Sequence, residues 1–348
     1  MVRAVEVHTS NGKPVKGLLK RARVYEDKHL PLFVDSVVCL PVREVSKELM
    51  REVRELAPEA QLVDKELRVN RRTRSFRREL QKILPKSVYD EAARAYEQVG
   101  DVGIITVFDS MVPYEEEIAE ALLDTNKGLR LVLKKAGRHE GDDRTPRYEV
   151  LAGEGSSRTV HKESGVELVV DVQEAYFSSR TFEERRRVSQ LVRPDERVLV
   201  AFSGIAPFVC VLANENPSAE VLGVEFNEQA HAFALENVKR NNLANAQVVC
   251  ADVREYVEDC GEVFDRIVMP HPTEADYFLG DVLKVAADRC VVHLYLFSRE
   301  DKLGAVRARL SSIAREAGFV ARSVEVVEQF HVSPKVFKYC FDISLVRR

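Results

Sequence analysis

Long apolar stretches are missing from this sequence, since no run approaches the ~20 residues that a membrane-spanning helix needs. The N-terminus, MVRAVEVHTS, lacks the apolar core of a signal peptide. We therefore expect a cytoplasmic protein with no membrane partner. The six cysteines are scattered without any CxxC pair, which excludes the spacings typical of zinc sites, and no metal is predicted. Several of them lie in apolar segments, where buried free thiols are expected.

Charge is distributed unevenly along the chain. The net charge is only −4, yet the first 80 of the 348 residues hold 18 Lys and Arg against 12 Asp and Glu, and the remainder is acidic. A basic N-terminal segment on an acidic body is compatible with a nucleic-acid partner. Six arginines lie between Arg68 and Arg78. They form either a solvated linker or a surface that contacts phosphates, because the guanidinium group suits phosphate geometry.

The length suggests two or three domains, and hydrophobic patterning divides the chain into three. Residues 1–75 are predicted to form a small N-terminal α/β unit, and residues 81–165 a middle α+β domain. Residues 166–348 alternate strand and helix and end in two apolar segments with no helix between them. That pattern predicts an α/β domain with a doubly wound parallel sheet closed by an antiparallel pair.

Three local predictions concern the first hundred residues. The apolar segment 32–42 is predicted to be one strand. The segment 45–56 has apolar residues at helical spacing, with Ser46 as a possible cap. Ser87 is predicted to cap a further helix that runs to Gln98.

The segment 198–208, VLVAFSGIAPF, predicts a buried strand, a tight turn at Gly204 and the start of a helix. The backbone N–H groups of such a turn can hold a polar or anionic group. The next strand-like segment ends at Glu225, about 20 residues beyond the turn, where a carboxylate suits a ribose diol. The third ends at Asp252 and the fourth in a proline loop at Pro270. This order describes a nucleoside-cofactor site followed by a substrate site, although either acid could instead cap a helix.

Four motifs carry a resemblance to a known family: VGDVGIITV, YEEEIAEALL, FSGIAPF and, most specifically, RTVHKESGVELVVDVQEAYFSSRTFEERRRV. Over roughly residues 96–348 the chain resembles the archaeal and eukaryotic tRNA guanine-37 N1-methyltransferase family, which includes wyosine-pathway paralogues. The resemblance implies a class I, Rossmann-like methyltransferase domain that uses S-adenosylmethionine, preceded by small α+β RNA-binding domains. It further implies a monomeric tRNA-binding enzyme that methylates N1 of guanosine 37 in the anticodon loop. The N-terminal domain would contact the outer corner of the tRNA.

The resemblance also implies roles for individual residues. Glu184 would take the proton from guanine N1, and Arg144 would stabilise negative charge on O6; without the family, both would be read as ordinary surface charge. His271, between two prolines, is read as an oriented surface residue rather than a base. The positions implied near the cofactor are Tyr176, Arg180, Phe202, Gly204, Glu225, Asp252 and Pro270.

Three positions depart from the family pattern. Val200 stands where the first strand usually carries an acid, Ala206 where the turn usually has glycine, and Pro270 where the fourth strand usually ends in asparagine. Proline lacks the side-chain donor and acceptor of asparagine, so these changes leave the target base open. One alternative is a wyosine-pathway enzyme that methylates the tricyclic base or transfers the aminocarboxypropyl group at position 37. Another is a non-catalytic tRNA-binding paralogue.

Overall fold

The computed structural model describes residues 1–26, 28–68, 75–93, 96–136, 147–273, 275–333 and 335–348. These residues fall into two compact units, Met1–Ile83 and Leu84–Arg348. Within the described ranges, no helix is both long and apolar enough to cross a membrane.

The first unit packs helices on one face of an antiparallel sheet in the order β2-β3-β1-β4. Valine and leucine side chains of β1 and β3 that point to one face pack against apolar residues of α1 and α2. The elements of this unit are β1 (Val2–His8), α1 (Gly12–Arg21), β2 (Leu32–Val34), β3 (Val37–Pro41), α2 (Lys47–Leu56), β4 (Gln61–Lys65) and α3 (Phe76–Ile83).

Two local predictions for this unit can be compared with the structure. Ser46 does cap α2, because its Oγ accepts the N–H of Leu49 at 3.1 Å. The single strand predicted over residues 32–42 is wrong. The chain instead turns back at Asp35, which has a φ of 51°, and β2 pairs antiparallel with β3.

The second unit begins with a smaller sheet in the order β5-β6-β7-β8, in which only β6 and β7 run parallel. Its elements are α4 (Lys86–Ala92), β5 (Tyr96–Val99), β6 (Val102–Ile105), α5 (Glu115–Thr125), β7 (Leu131–Ala136) and β8 (Arg147–Gly153). The prediction of one helix from Ser87 to Gln98 is wrong. The helix has Pro85 at its N-cap position and ends at Ala92, and residues 96–99 form β5, which pairs with β6 around Gly100.

A hairpin follows, built from β9 (Arg158–Glu163) and β10 (Val166–Asp171), and then the helix α6 (Phe182–Ser189). Strand β9 was not predicted from the sequence. Its charged side chains hide the alternation of a strand, although Thr159 and Glu163 are buried.

The main sheet has the order β13-β12-β11-β14-β15-β17-β16, with its first five strands parallel and the last two antiparallel to their neighbours. Its elements are β11 (Arg197–Ala201), α7 (Pro207–Glu215), β12 (Glu220–Glu225), α8 (Glu228–Arg240), β13 (Ala246–Cys250), α9 (Val253–Asp259), β14 (Phe264–Met269), α10 (Ala275–Val282), β15 (Ala286–Ser298), α11 (Leu303–Glu316), β16 (Phe319–Ser333) and β17 (Val336–Arg347). The predicted doubly wound sheet with a closing antiparallel pair is therefore confirmed.

Two apolar cores cover the two faces of this sheet. One contains side chains of α7 and α8, and the other contains side chains of α9, α10 and α11. The strand order reverses at β11, between β12 and β14, and ligands of open α/β sheets bind at the carboxyl ends of the strands beside such a reversal. The carboxyl ends of these three strands therefore define the place to examine.

Candidate active site

The turn after β11 has an unusual backbone. Phe202, Gly204 and Ala206 all have positive φ angles, of 59°, 57° and 65°. A Cβ added to Gly204 would meet no atom within 4 Å, so the turn is open above this residue. Ala206, one of the departures from the family pattern, adopts the left-handed conformation that glycine would adopt without strain, at a cost of about 1–2 kcal/mol. The turn shape thus survives the loss of this glycine.

Glu225, at the end of β12, closes against this turn. Its carboxylate accepts the N–H of Gly204 at 2.6 Å and the N–H of Asn227 at 2.9 Å. Burial raises the pKa of Glu225 above its ordinary value, and these backbone hydrogen bonds act in the opposite direction. The predicted cofactor residues Gly204 and Glu225 are therefore in direct contact, and the acid orients the glycine turn.

The surroundings of this pair fit a nucleoside. Ser203 is buried, and its Oγ has no hydrogen-bond partner among the described residues, so a polar group is available inside the turn. A Cβ on Gly223 would lie 2.9 Å from that Oγ, so the neighbouring strand leaves space for the serine side chain. Phe226, directly after Glu225, is 67% exposed and offers an aromatic face. Ser203 and Phe226 were not predicted from the sequence, although both adjoin predicted cofactor residues.

The next two strand ends differ from each other. Asp252 caps α9 by accepting the N–H of Arg254 at 2.8 Å, and it pairs with the same guanidinium at 2.6 Å. The helix-cap alternative is thus present at Asp252, whose pKa the Arg254 guanidinium lowers. Pro270 follows β14, and the ring of its neighbour His271 lies 5.1 Å from that of Phe202. This contact brings the fourth strand end against the first.

Tyr176 and Arg180 lie in the segment between β10 and α6, which Glu97 of β5 holds in place. Glu97 Oε1 accepts the Ser178 hydroxyl at 2.9 Å and the Ser179 N–H at 2.6 Å. Glu97 Oε2 lies 3.6 Å from Nε of Arg180. Tyr176 is 55% exposed. A carboxylate of the smaller sheet therefore positions this predicted cofactor segment.

A buried ion pair between Arg185 and Glu163 also holds this segment in place. Arg185 Nη2 donates to Glu163 at 2.6 Å and to the Ser178 carbonyl at 3.2 Å, and both charged residues are almost completely buried. Burial acts to raise the pKa of Glu163, but hydrogen bonds from His161 and Arg185 bring it below its ordinary value. The pair ties α6 to β9.

Glu184, the predicted base, is 3% exposed and accepts four hydrogen bonds. Arg187 donates twice, at 2.7 and 2.8 Å, Tyr295 donates its hydroxyl at 2.6 Å, and Gln329 donates its amide at 2.8 Å. Burial acts to raise the pKa of Glu184, but the hydrogen bonds from Arg187 and Tyr295 outweigh it and lower the pKa below its ordinary value. Glu184 is therefore a charged, fully hydrogen-bonded carboxylate rather than a surface charge.

Arg187, which donates to Glu184, belongs to a longer series of charged and polar residues in contact with one another. Arg187 also donates to Asp342, which in turn contacts Nδ1 of His293 at 2.6 Å. Nε2 of His293 faces Arg266, which can only donate, so His293 is neutral with its proton on Nδ1. Burial lowers the pKa of His293 and is consistent with that state. His293, Cys340 and Asp342 lie close enough to bind a metal ion, but the two adjacent guanidinium groups oppose a cation there.

Residues 159–324 of the chain match the TRM5/TYW2 methyltransferase domain, and residues 76–156 match the TYW2 N-terminal domain. The chain is 31% identical over 266 residues to the tRNA (guanine(37)-N(1))-methyltransferase Trm5b of Pyrococcus abyssi, covering 74% of this chain and 76% of that protein. The chain belongs to the TRM5/TYW2 family. The family and fold class predicted from the sequence are both confirmed.

Other relatives lie on both branches of the TRM5/TYW2 family. A tRNA(Phe) (4-demethylwyosine(37)-C(7)) aminocarboxypropyltransferase of Methanocaldococcus jannaschii is 29% identical over 254 residues, which is 72% of this chain and 98% of that protein. The crystal structure of P. abyssi Trm5b has a TM-score of 0.71 and 26% identity, with 99% of this chain and 100% of that chain covered. That of M. jannaschii TYW2 in complex with AdoMet has a TM-score of 0.57 and 25% identity, with 73% and 100% covered.

The most specific motif of the TRM5/TYW2 resemblance now has a structural explanation. In its HKE segment, Glu163 pairs with Arg185, and His161 contacts Glu163. His161 also accepts the N–H of Gly100 at 3.2 Å. Gly100 has a φ of 55°, and a Cβ there would lie 2.1 Å from the Thr159 hydroxyl. The VGDVG motif and the HKE…ER motif therefore contact each other in the structure. We call the Glu163–Arg185 ion pair, which joins β9 to α6, the bracket. Arg144, the second predicted catalytic residue, lies outside the described residues.

Proposed function

We propose that this protein transfers the methyl group of S-adenosylmethionine to N1 of guanosine 37 in the anticodon loop of tRNA. The observation that carries the proposal is the buried, charged carboxylate of Glu184, four residues after Arg180 and beside Tyr295 at the carboxyl end of the sheet. S-adenosylmethionine is the cofactor, and the Gly204–Glu225 contact with Ser203 and Phe226 beside it suits its nucleoside. When bound, it supplies an already activated methyl group.

The chain's own residues have to remove a proton from the target base. N1 of neutral guanine carries a proton and is a poor nucleophile. We propose that Glu184 Oε2 takes this proton at the place where the Gln329 amide donates in the structure. Gln329 is only partly buried on β16 and can yield to the base, while Tyr295 and Arg187 stay as donors and keep the carboxylate oriented. Arg144 is proposed to stabilise the charge on O6.

The first unit is proposed to contact the outer corner of the tRNA, with the protein acting as a monomer. The exposed arginines Arg77 and Arg78 of α3 are its described candidates for phosphate contacts. Arg68 is a third exposed candidate, and the other three arginines of the cluster, at positions 71, 72 and 74, lie outside the described residues. The domain boundaries and all residue roles remain predictions.

A second candidate function is transfer of the aminocarboxypropyl group of the same cofactor to the tricyclic wyosine precursor at position 37. It is favoured by the match of residues 76–156 to the TYW2 N-terminal domain and by proline, not asparagine, at position 270. A proline side chain offers no hydrogen bond to the base edge, although its carbonyl remains an acceptor.

The test is to incubate the protein with labelled cofactor and tRNA transcripts that differ only at position 37, as G37 and A37. We expect label to enter only the G37 transcript and the modified nucleoside to have the mass of 1-methylguanosine. If the protein modifies neither the G37 transcript nor a tRNA carrying the tricyclic precursor, the result would contradict an enzymatic function. It would favour the non-catalytic alternative.

A further inference from the structure

Lys338 is a buried lysine whose ammonium has no carboxylate partner. Its side chain is 7% exposed, and no hydrogen bond or ion pair joins its Nζ to any residue in the described ranges. The ammonium instead lies over two aromatic rings, 5.0 Å from the centroid of Tyr295 and 5.7 Å from that of Phe330. Cation–π contacts stabilise it, and no carboxylate of the described residues lies within ion-pair distance. A lysine side chain that is almost wholly buried with no carboxylate beside it is rare in proteins.

The position of Lys338 relates it to the proposed base. Lys338 pairs across the strands with Phe297, near the carboxyl end of β15, so it lies at the edge of the sheet where the active site is proposed. The ring under the ammonium belongs to Tyr295, whose hydroxyl donates to Glu184. The same ring thus contacts both Lys338 and Glu184.

We propose that Lys338 is a substrate-binding residue whose ammonium binds an anionic oxygen of the nucleotide at position 37. This inference rests on the proposed function, because it assumes that the tRNA nucleotide enters beside Glu184. Two oxygens have the required charge: a backbone phosphate oxygen, and O6 of guanine as N1 loses its proton. Either would give the ammonium an acceptor that no described residue supplies.

The surroundings of Lys338 also set the pH range in which it is charged. Burial and, to a lesser extent, the neighbouring charge of Arg185 lower its pKa to about 8, although Cys340 and Glu184 act to raise it. Tyr295 stays a neutral phenol, since burial raises the pKa of its hydroxyl well above the ordinary value. The ammonium is therefore present below about pH 8, and its contribution to binding or rate is lost as the pH rises through that value.

The test compares Lys338→Met with Lys338→Arg in the full-length protein, and uses Lys335→Met as the matched control. Lys335 is an exposed lysine at the tip of the same hairpin. Affinity for unmodified G37 tRNA is measured by filter binding across a salt series, and single-turnover transfer is measured from pH 6 to about pH 9.5, a range that brackets the Lys338 pKa of about 8. A thermal melt confirms that each variant is folded.

We expect Lys338→Met to be impaired by at least about tenfold, Lys338→Arg to be partly restored, and Lys335→Met to match the wild type. A contact to phosphate lowers tRNA affinity and reduces the salt slope by about 0.7. A contact to O6 leaves affinity unchanged and lowers the transfer rate. In that case the wild-type rate should gain a downward limb above about pH 8 that Lys338→Arg lacks.

A Lys338→Met variant with wild-type affinity and wild-type rate at every pH would overturn the inference while leaving the proposed function intact. Absence of transfer by the wild-type protein would instead count against the proposed function. The affinity arm would then still decide whether Lys338 contacts the RNA.

Discussion

At the scale of single residues, Glu225 at the end of β12 holds the proposed cofactor turn in place. Glu225 orients the backbone N–H of Gly204 and is proposed to accept the ribose hydroxyls, so its removal should affect both. We expect Glu225→Ala to weaken binding of S-adenosylhomocysteine by about 10- to 100-fold, since losing a hydrogen bond to a charged group costs about 1.5–3 kcal/mol. Isothermal titration calorimetry measures this, with Glu228→Ala, an exposed acid three residues later, as the control. Equal affinities for both variants would move the ribose site elsewhere.

Glu184 can be tested against its exposed neighbour Glu183 on the same turn of α6. We expect Glu184→Gln to lower the single-turnover rate by about 10²- to 10⁴-fold, the range for loss of a general base, with nearly unchanged affinity for S-adenosylhomocysteine. Glu183→Gln should behave like the wild type. A Glu184→Gln rate within about twofold of wild type would make Glu184 a structural member of the buried charge chain and nothing more.

The sequence could predict which residues cluster at this site but not how each is engaged. Strand-end position is enough to place Gly204, Glu225 and Pro270 together, because parallel strands end at one edge. The same reasoning could not show that the carboxylate of Asp252 is paired with Arg254, or that Glu184 accepts four hydrogen bonds. Those partners come from distant segments, and no local pattern encodes them. Lys338 escaped notice for the same reason, since a lysine in a strand reads as exposed.

At the scale of elements, the bracket between β9 and α6 should dominate stability. Removing one member of a buried ion pair leaves an uncompensated charge, so Glu163→Gln should lower the free energy of unfolding by about 3–5 kcal/mol. The double variant Glu163→Met/Arg185→Met should recover most of this loss, because neither charge is then buried alone. Urea unfolding measures both, and Glu167→Gln, in a more exposed ion pair, should change the stability far less than Glu163→Gln does.

The pH dependence of this bracket has a definite sign. The pKa of Glu163 lies below its ordinary value, so the pair stabilises the fold above that ordinary value, and the stabilisation is lost as the pH falls through the folded-state pKa. The difference in unfolding free energy between wild type and Glu163→Gln should therefore shrink as the pH is lowered below about 4. A difference that stays constant from neutral to acidic pH would contradict the ion-pair account.

Secondary structure was predictable where the apolar pattern was strong. The main sheet and its closing antiparallel pair follow from long apolar runs at regular spacing. The helix assigned to residues 87–98 failed because the pairing of β5 with β6, around Gly100, overrides a weak helical pattern. The strand β9 was missed because its polar face is used for the bracket rather than left to solvent.

At the scale of the whole molecule, the two units should separate in function. We expect a truncated protein starting at Leu84 to keep the cofactor affinity of the full chain, because Gly204, Ser203 and Glu225 all lie in the second unit. It should bind whole tRNA more weakly, with a shallower dependence on salt. Each lost phosphate contact should reduce the slope of log affinity against log salt by about 0.7–0.9.

Filter binding with whole tRNA and with an isolated anticodon stem-loop tests this separation. Truncation should weaken binding of the whole tRNA more than binding of the stem-loop, since the first unit is proposed to contact the outer corner. Equal salt slopes for the two proteins on whole tRNA would identify the arginines near residue 75 as a solvated linker.

The most direct test of the central claim uses two samples of S-adenosylmethionine, one labelled in the methyl group and one in the aminocarboxypropyl group. Both are incubated with full-length protein and tRNA, either as an unmodified G37 transcript or carrying the tricyclic precursor. The account predicts that only the methyl label enters the G37 transcript, with S-adenosylhomocysteine released in equal amount. Entry of the aminocarboxypropyl label, with release of methylthioadenosine, would contradict it and assign the protein to the other branch of its family.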